Sequence, residues 1–241
     1  MRSEDPHRKN GILASLEAEE VEELRPNLET VELERMSVIY ETGTRIEHVY
    51  FPHNAIVSLI CIMRDGRMAE TGTVGREGFT GSEIILSADS TSTSHCVAQV
   101  AGSASRLPSG ALRALIETRP HARNLLMAYT RALFAQVLQS VACNATHSVE
   151  ERSARWLLMT HDRAETDSFE LTQEFLAEML GVRRTSVNIV SRLFQKAGLI
   201  RYSRGVITIL DRKGLESISC ECYGLVRAVF EQFLPRPGLK H

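Results

Sequence analysis

The spacing of hydrophobic positions divides the chain into a β-rich first half and a helical second half. Between about 28 and 107, short runs such as VELERMSVIY, HVYFP, AIVSLICI and HCVAQVAG alternate with Gly, Asn, Asp and Pro. Short strands at regular spacing, separated by turn signals, are typical of an antiparallel sandwich or barrel. Apolar positions among acids at 12–25 predict one or two short helices ahead of the strands.

The second half follows a helical period. Pro108 opens a helical region, and 120–145 is a long amphipathic segment whose apolar positions cover about half of the circumference. A face this wide suggests two neighbours, the β-domain and the same helix of a second subunit, although a helix buried in a monomer core would show the same pattern. Further helices are predicted over 148–164 and 215–233. The candidate dimer contacts on the long helix are Leu126, Tyr129, Leu133, Val137 and Val141.

The most informative stretch is 171–200, which reads LTQEFLAEMLGVRRTSVNIVSRLFQKAGLI. Thr172 can cap a first helix, and Gly181 supplies a tight turn before a second helix that runs from about 184 to 197. On the second helix, four apolar residues lie opposite a polar face, and Gly198 can end the helix in a left-handed conformation. Two amphipathic helices joined by a short glycine turn are a helix-turn-helix unit.

The polar face of the second helix carries side chains suited to DNA. Arginine pairs with guanine, asparagine pairs with adenine, and residues early in such a helix reach the bases. We therefore expect base contacts from Arg184, Thr185 and Asn188. The β-prone runs at 199–202 and 206–210 flank a turn, and they predict a hairpin wing next to the helices. Candidate contacts to the DNA backbone are Thr172, Arg183, Arg192, Lys196, Arg201 and Arg204.

Charge supports this interpretation through its distribution. The formal net charge of the chain is only −2, but residues 183–213 hold eight basic residues and one acid. Such a cluster suits a phosphate-facing surface, and a solvated basic face is the alternative. The polar N-terminus lacks a signal sequence, and no run of 18 apolar residues occurs. We expect a cytoplasmic protein that has no membrane partner.

The remaining chemistry is sparse. Five scattered cysteines suit a reduced compartment better than a disulfide scaffold. Cys220 and Cys222 are interpreted as two partly buried thiols on a C-terminal helix, because no histidine or further cysteine lies near them in sequence, and Cys143 as a helix-packing residue. No activated nucleophile or glycine-rich phosphate loop occurs, so we expect no catalytic residues, no metal site and no enzymatic activity.

Three features in order carry a family resemblance: the turn segment GREGFTG at 75–81 within the β-rich half, the long helix, and LTQEFLAEMLGVRRTSV followed by the hairpin. Over about 12–220 the chain resembles the Crp–Fnr family of bacterial transcription regulators. The resemblance implies an α+β fold with a jelly-roll-like antiparallel β-roll sensor domain (12–119), a long dimerisation helix and hinge (120–147), and a winged helix-turn-helix domain (148–233). It also implies double-stranded DNA, a second copy of the chain and, for an activator, RNA polymerase as partners.

The sequence departs from well-known members at the sensor site. The resemblance places an effector pocket at Gly81, Ser82, Glu83, Ser92 and Thr93. Members that respond to cyclic AMP carry Gly-Glu and then Arg-Ser around the cyclic phosphate, whereas here Glu83 comes one place late and Ser92-Thr93 replaces Arg-Ser. An anionic phosphate needs a charge-assisted partner, so we do not expect cyclic AMP.

Oxygen-sensing members bind an iron–sulfur cluster through N-terminal cysteines, and the first cysteine here is Cys61, so we do not expect a cluster either. An unusual ligand, a redox signal through a thiol, or no effector remain as alternatives. For the whole chain, the alternative is a β-barrel enzyme or small-molecule-binding protein whose helical C-terminal half is only structural.

Overall fold

The computed structural model describes residues 5–87 and 89–235. After a 3₁₀ turn (Pro6–Lys9), the chain forms α1 (Gly11–Ser15), α2 (Ala18–Leu24) and a second 3₁₀ turn (Arg25–Asn27). Seven strands follow: β1 (Glu29–Leu33), β2 (Val38–Tyr40), β3 (His48–Pro52), β4 (Ile56–Ile62), β5 (Met68–Val74), β6 (His95–Val100) and β7 (Gly102–Pro108). This confirms both the short helices and the β-rich half.

The seven strands make two antiparallel sheets around one buried core. The first sheet has the strand order β1-β7-β3, and the second has the order β2-β6-β4-β5. Strand β4 lies between two neighbours, and its first residues are buried, which explains its nearly continuous apolar sequence. The β4–β5 turn contains Gly66 in the left-handed region, with φ +83°, where glycine carries no steric cost.

Three helices complete this half: α3 (Glu83–Leu86), α4 (Ser109–Thr118) and the 27-residue α5 (Pro120–Thr146). The long helix is therefore confirmed. It packs closely on the loop after β5, because an added Cβ at Gly78 would lie 2.1 Å from the Tyr129 ring. Only glycine allows the loop and the helix to approach this far.

The dimer contacts expected on α5 need correction. The side chains of Leu126, Tyr129 and Leu133 are buried inside the chain, and Val137 is half-buried. The rest of the chain covers this side of the helix, so the three buried residues have no surface left for a second subunit. Of the five expected residues only Val141 is well exposed, and it shares the open side of the helix with three other large apolar residues: Met127, Phe134 and Leu138.

The C-terminal half begins with α6 (Val149–Arg163), where Ser148 and Glu151 form a capping box. It continues with β8 (Ser168–Glu170), α7 (Gln173–Leu180), α8 (Arg184–Lys196), β9 (Ile200–Ser203) and β10 (Val206–Ile209). The last three strands form an antiparallel sheet in the order β8-β10-β9. Strand β8 was not expected, because its three residues follow a polar break and are too short to show a period.

The prediction of a single C-terminal helix over 215–233 is wrong. The chain instead forms α9 (Arg212–Ile218) and α10 (Cys222–Phe233), with an extended backbone at Ser219 between them. The break allows α9 to pack on α6 while α10 packs on α5, which one straight helix could not do. It also brings Cys220 and Cys222, which are both buried, against Cys143. Among the described residues, no helix combines the length and apolarity of a membrane span.

Candidate nucleic-acid interface and sensor cavity

The segment that joins α7 to α8 has the geometry of a helix-turn-helix. The Thr172 hydroxyl accepts a hydrogen bond from the backbone N–H of Phe175 at 3.1 Å, which confirms Thr172 as the cap of the first helix. Gly181 ends α7 in the left-handed region with φ +63°, as expected for the turn. Val182 is half-buried and packs against the core between the two helices.

Helix α8 separates its two faces as the sequence predicts. Val187, Val190 and Phe194 are buried, while Leu193 is half-exposed. The opposite face carries the expected polar residues, of which Arg184, Thr185, Arg192 and Lys196 are exposed and Asn188 is half-buried. Ile189, which sequence reasoning assigned to neither face, is 62% exposed and lies one turn beyond Thr185 on the same side. The exposed surface of α8 therefore mixes basic, hydroxyl and methyl groups.

The N-terminus of α8 has no side-chain cap. Arg183 occupies the N-cap position, and its side chain accepts no hydrogen bond from the first turn. The first backbone N–H groups of α8 are thus available to an external acceptor, and the positive end of the helix dipole adds to their attraction for an anion.

The hairpin formed by β9 and β10 is confirmed as well. Arg204 and Gly205 have φ of +50° and +78°, the combination that a two-residue type I′ turn requires. The Gln195 side chain accepts a hydrogen bond from the backbone N–H of Tyr202 at 3.2 Å, and this bond ties the hairpin to α8. Arg201 and Arg204 are exposed beside the helix.

The basic side chains of this surface are not neutralised. In the described part of the chain, no carboxylate forms an ion pair with any of the following: Arg183, Arg184, Arg192, Lys196, Arg201 and Arg204. Unpaired cations on one surface attract a polyanion and release its counterions on binding.

A cavity of about 300 Å³ lies between the second sheet and α5. Four of the five residues expected at the effector pocket line it, namely Gly81, Ser82, Glu83 and Thr93. The fifth, Ser92, is buried and donates its hydroxyl hydrogen to the Ser94 carbonyl at 2.8 Å instead. From α5, the lining includes Thr130, Leu133, Phe134 and Val137. The volume is at the lower end of the range for small-molecule sites.

The cavity lining is mainly apolar and carries one carboxylate. Glu83 accepts hydrogen bonds at 3.0 Å from both the backbone N–H and the hydroxyl of Thr93, so its charge is held at the cavity wall. No Lys, Arg or His is among the lining residues that the structure describes. A cavity that holds a negative charge and no cation disfavours an anionic ligand.

A buried ionic contact, which sequence reasoning missed, connects the two halves of the chain. Glu77 in the loop after β5 accepts a hydrogen bond from Nε of Arg163 at the end of α6, over 2.8 Å. An added Cβ at Gly75 would lie 2.8 Å from the aliphatic part of Arg163, so glycine permits this approach. The two residues lie 86 positions apart, and no local pattern could have paired them.

A β-roll with a ligand-sized cavity, a long helix and a winged helix-turn-helix define a DNA-binding transcription regulator. Residues 30–119 match the cyclic nucleotide-binding domain family, and residues 151–218 match the Crp-like helix-turn-helix domain family. The chain belongs to the Crp/Fnr family of transcription regulators, which are not enzymes. The alternative in which the C-terminal half is only structural is wrong.

Solved structures agree with this fold. A crp/fnr-family regulator from Eubacterium rectale superposes with a TM-score of 0.68 at 20% identity, over 88% of this chain and 98% of that chain. FixK2 from Bradyrhizobium japonicum gives a TM-score of 0.68 at 16% identity over 80% and 98%. A CRP/FNR-family regulator from Thermus thermophilus gives 0.62 at 22% identity over 79% and 98%. No curated protein sequence matches the chain.

Proposed function

We propose that the protein acts as a homodimer that binds a pseudo-palindromic operator, with its β-roll as the regulatory domain. One observation carries the dimer: the open side of α5 presents Met127, Phe134, Leu138 and Val141, each at least half exposed. Residues 127, 134 and 141 repeat at intervals of seven, and Leu138 lies one turn from Phe134. This is the spacing of a coiled-coil seam, and a second copy of α5 is the occupant that matches it.

In this dimer, each α8 enters a major groove and each wing contacts the adjacent backbone. Arg184, Thr185 and Asn188 read base edges, and Ile189 contacts a thymine methyl group. The backbone contacts come from Thr172 and Arg183 at the helix starts, from Arg192 and Lys196 along α8, and from Arg201 and Arg204 on the wing. The unpaired charges and the uncapped start of α8 support this assignment.

The cavity connects the regulatory domain to the proposed dimer interface. Phe134 lines the cavity and also belongs to the exposed seam of α5, so a ligand in the cavity can bias how the two long helices meet. We propose a small neutral effector with apolar surface. The described lining is mainly apolar, and Glu83, its one charged residue, disfavours an anion. Calorimetry is expected to show no cyclic AMP binding; saturable micromolar binding would contradict this part of the proposal.

The dimer is tested by measuring molar mass in solution with light scattering. The wild-type protein is expected at twice the chain mass, whereas Leu138→Asp should raise the dimer dissociation constant by about 100-fold or more, since it buries two carboxylates in an apolar seam. The control is Met63→Asp, an equally exposed apolar site in the β4–β5 turn. A monomeric wild type, or a variant that dimerises unchanged, would refute the proposed interface.

A further inference from the structure

Four metal-binding side chains meet where the end of α5 faces the break between α9 and α10. Cys143 and His147 lie one helical turn apart at the end of α5, and Cys220 and Cys222 flank the start of α10. One ligand atom from each residue lies within 4.8 Å of all the others. The three cysteines are buried as free thiols, and His147 is half-buried.

The separations fit a single small ion. The two sulfurs of Cys143 and Cys220 are 3.5 Å apart, and the Cys222 sulfur lies 3.6 Å from Nδ1 of His147. A tetrahedral zinc ion, with Zn–S of about 2.3 Å and Zn–N of about 2.0–2.1 Å, separates its ligand atoms by about 3.6–3.8 Å. In an iron–sulfur cluster the protein ligands are shared among two or more iron atoms, so ligand atoms on different irons must stand farther apart than the four in this group do.

The surroundings of the four residues are those of a metal site. Nε2 of His147 lies 3.1 Å from a carboxylate oxygen of Glu221, so the second ring nitrogen is held by a carboxylate while Nδ1 faces the sulfurs. The Gln139 amide donates a hydrogen bond to the Cys222 sulfur at 3.0 Å. Zinc-bound histidines commonly carry such a carboxylate partner, which orients the ring and raises its basicity.

Two buried arginines next to the cluster lack a full set of partners. Arg152 and Arg155 are both more than nine-tenths buried, and in the described structure Nε of each has no hydrogen-bond partner. Both arginines lie on α6, which begins at Val149, two residues after His147. Buried cations are costly unless a negative group compensates them. Zn²⁺ with three thiolates carries a net charge of −1 and would supply that compensation.

We propose that Cys143, His147, Cys220 and Cys222 bind one zinc ion in a closed tetrahedral site. With four protein ligands the site has no open position, so the ion has a structural role and no catalytic one. It joins α10 to the last turn of α5, directly before α6 begins at Val149. The ion would therefore fix the hinge between the long helix and the DNA-binding domain. This site does not depend on the proposed dimer or operator.

The test is metal analysis of the full-length protein, prepared under reducing conditions with zinc supplied and then desalted. One zinc per chain is expected by mass spectrometry of the elements. Replacement by Co²⁺ should produce the strong visible bands of tetrahedral cobalt and thiolate charge-transfer absorption. Less than about 0.2 zinc per chain, iron with acid-labile sulfide, or a Cys143–Cys220 disulfide in fresh reduced protein would each overturn the proposal.

Variants separate this site from adventitious binding. Cys220→Ser and His147→Gln should each abolish the cobalt spectrum or shift it strongly, whereas Cys61→Ser, at an exposed cysteine in β4, should leave it unchanged. Glu221→Gln removes only the carboxylate behind the histidine, and it should lower zinc affinity about 10–100-fold. Because Glu221 is exposed, this variant should fold even if the cysteine variants do not. Unchanged zinc affinity in Cys220→Ser, His147→Gln and Glu221→Gln would mean an adventitious ion only.

Discussion

Arg163 and Glu77 form an ion pair that is almost completely shielded from solvent, with Nε of the arginine 2.8 Å from Oε1 of the glutamate. The same guanidinium donates to the Met159 carbonyl at 2.8 Å and to the Gln136 side chain at 3.4 Å. One side chain thus contacts the β-roll, the long helix and the DNA-binding domain. The contact therefore connects the loop after β5 to both other parts.

Breaking this pair from one side should destabilise the protein strongly. Arg163→Met leaves the Glu77 carboxylate buried without its partner, and the expected loss is about 3–5 kcal/mol of unfolding free energy. Urea denaturation followed by circular dichroism measures it. The control, Arg106→Gln, removes an exposed pair with Glu29 and should cost less than about 1 kcal/mol. Equal losses of unfolding free energy in the two variants would show that the buried pair stabilises the protein no more than the exposed pair does.

Local features of the DNA-binding half could be predicted from sequence because they depend on neighbouring residues. The Thr172 cap, the Gly181 turn and the faces of α8 all follow from side chains within one or two helical turns of each other. The hairpin follows from two β-prone runs around Arg204 and Gly205. In the sensor half, the β-roll and the position of the cavity at Gly81 followed from the family resemblance.

Contacts between distant segments could not be predicted. The apolar width of α5 indicated two neighbours, but only the packed structure shows that the β-roll takes the side with Leu126 and leaves the side with Phe134 open. Cys143 and Cys220 are 77 residues apart, and a helix break brings them together. The break at 219–221 contains no Gly or Pro that would have predicted it. The Glu77–Arg163 pair could not be predicted for the same reason, because its residues are 86 positions apart.

Arg184 is predicted to read one base position. Arg184→Ala should cost about 1–3 kcal/mol on the preferred operator and should relax the preference at a single position of each half-site. Fluorescence anisotropy with a set of single-base operator variants measures both effects. Arg67→Ala, an exposed arginine on the β-roll, is the control. If base preference survives in Arg184→Ala, another residue reads that position.

The wing should contribute electrostatic affinity for DNA but no base specificity. Arg204→Asn removes the cation, and asparagine tolerates the positive φ of +50° at this position, so the turn should persist. Binding should weaken alike on specific and random duplexes, and the slope of log K against log salt should fall by about 1 per subunit. An unchanged slope would remove Arg204 from the interface.

His53 should make stability depend on pH. Burial lowers its pKa to about 4, and its ring nitrogens lie 2.7 Å from the Ser105 hydroxyl and 3.3 Å from the Ser103 hydroxyl. In the unfolded chain the histidine has a pKa of about 6.5, so between these values the unfolded state binds the extra proton. Stability should therefore fall by about 3 kcal/mol as pH drops from about 7 to 4.

The comparison variant for this prediction is His53→Gln, which keeps hydrogen-bonding groups and cannot titrate. Its unfolding free energy, measured by urea denaturation across the same pH range, should show a smaller loss than the wild type. If the two proteins lose stability in parallel, carboxylates and not His53 account for the pH dependence.

The central claim is that two winged helices of one dimer read two half-sites, and a footprint tests it most directly. An operator is first selected from a random DNA pool, and the bound duplex is then cleaved with hydroxyl radicals. The account predicts two protected half-sites of inverted sequence, with centres about 34–36 Å apart along the helix axis. In the Leu138→Asp variant, protection of both sites should require a much higher protein concentration. A single protected half-site for the wild type, or protection that does not depend on sequence, would contradict the account.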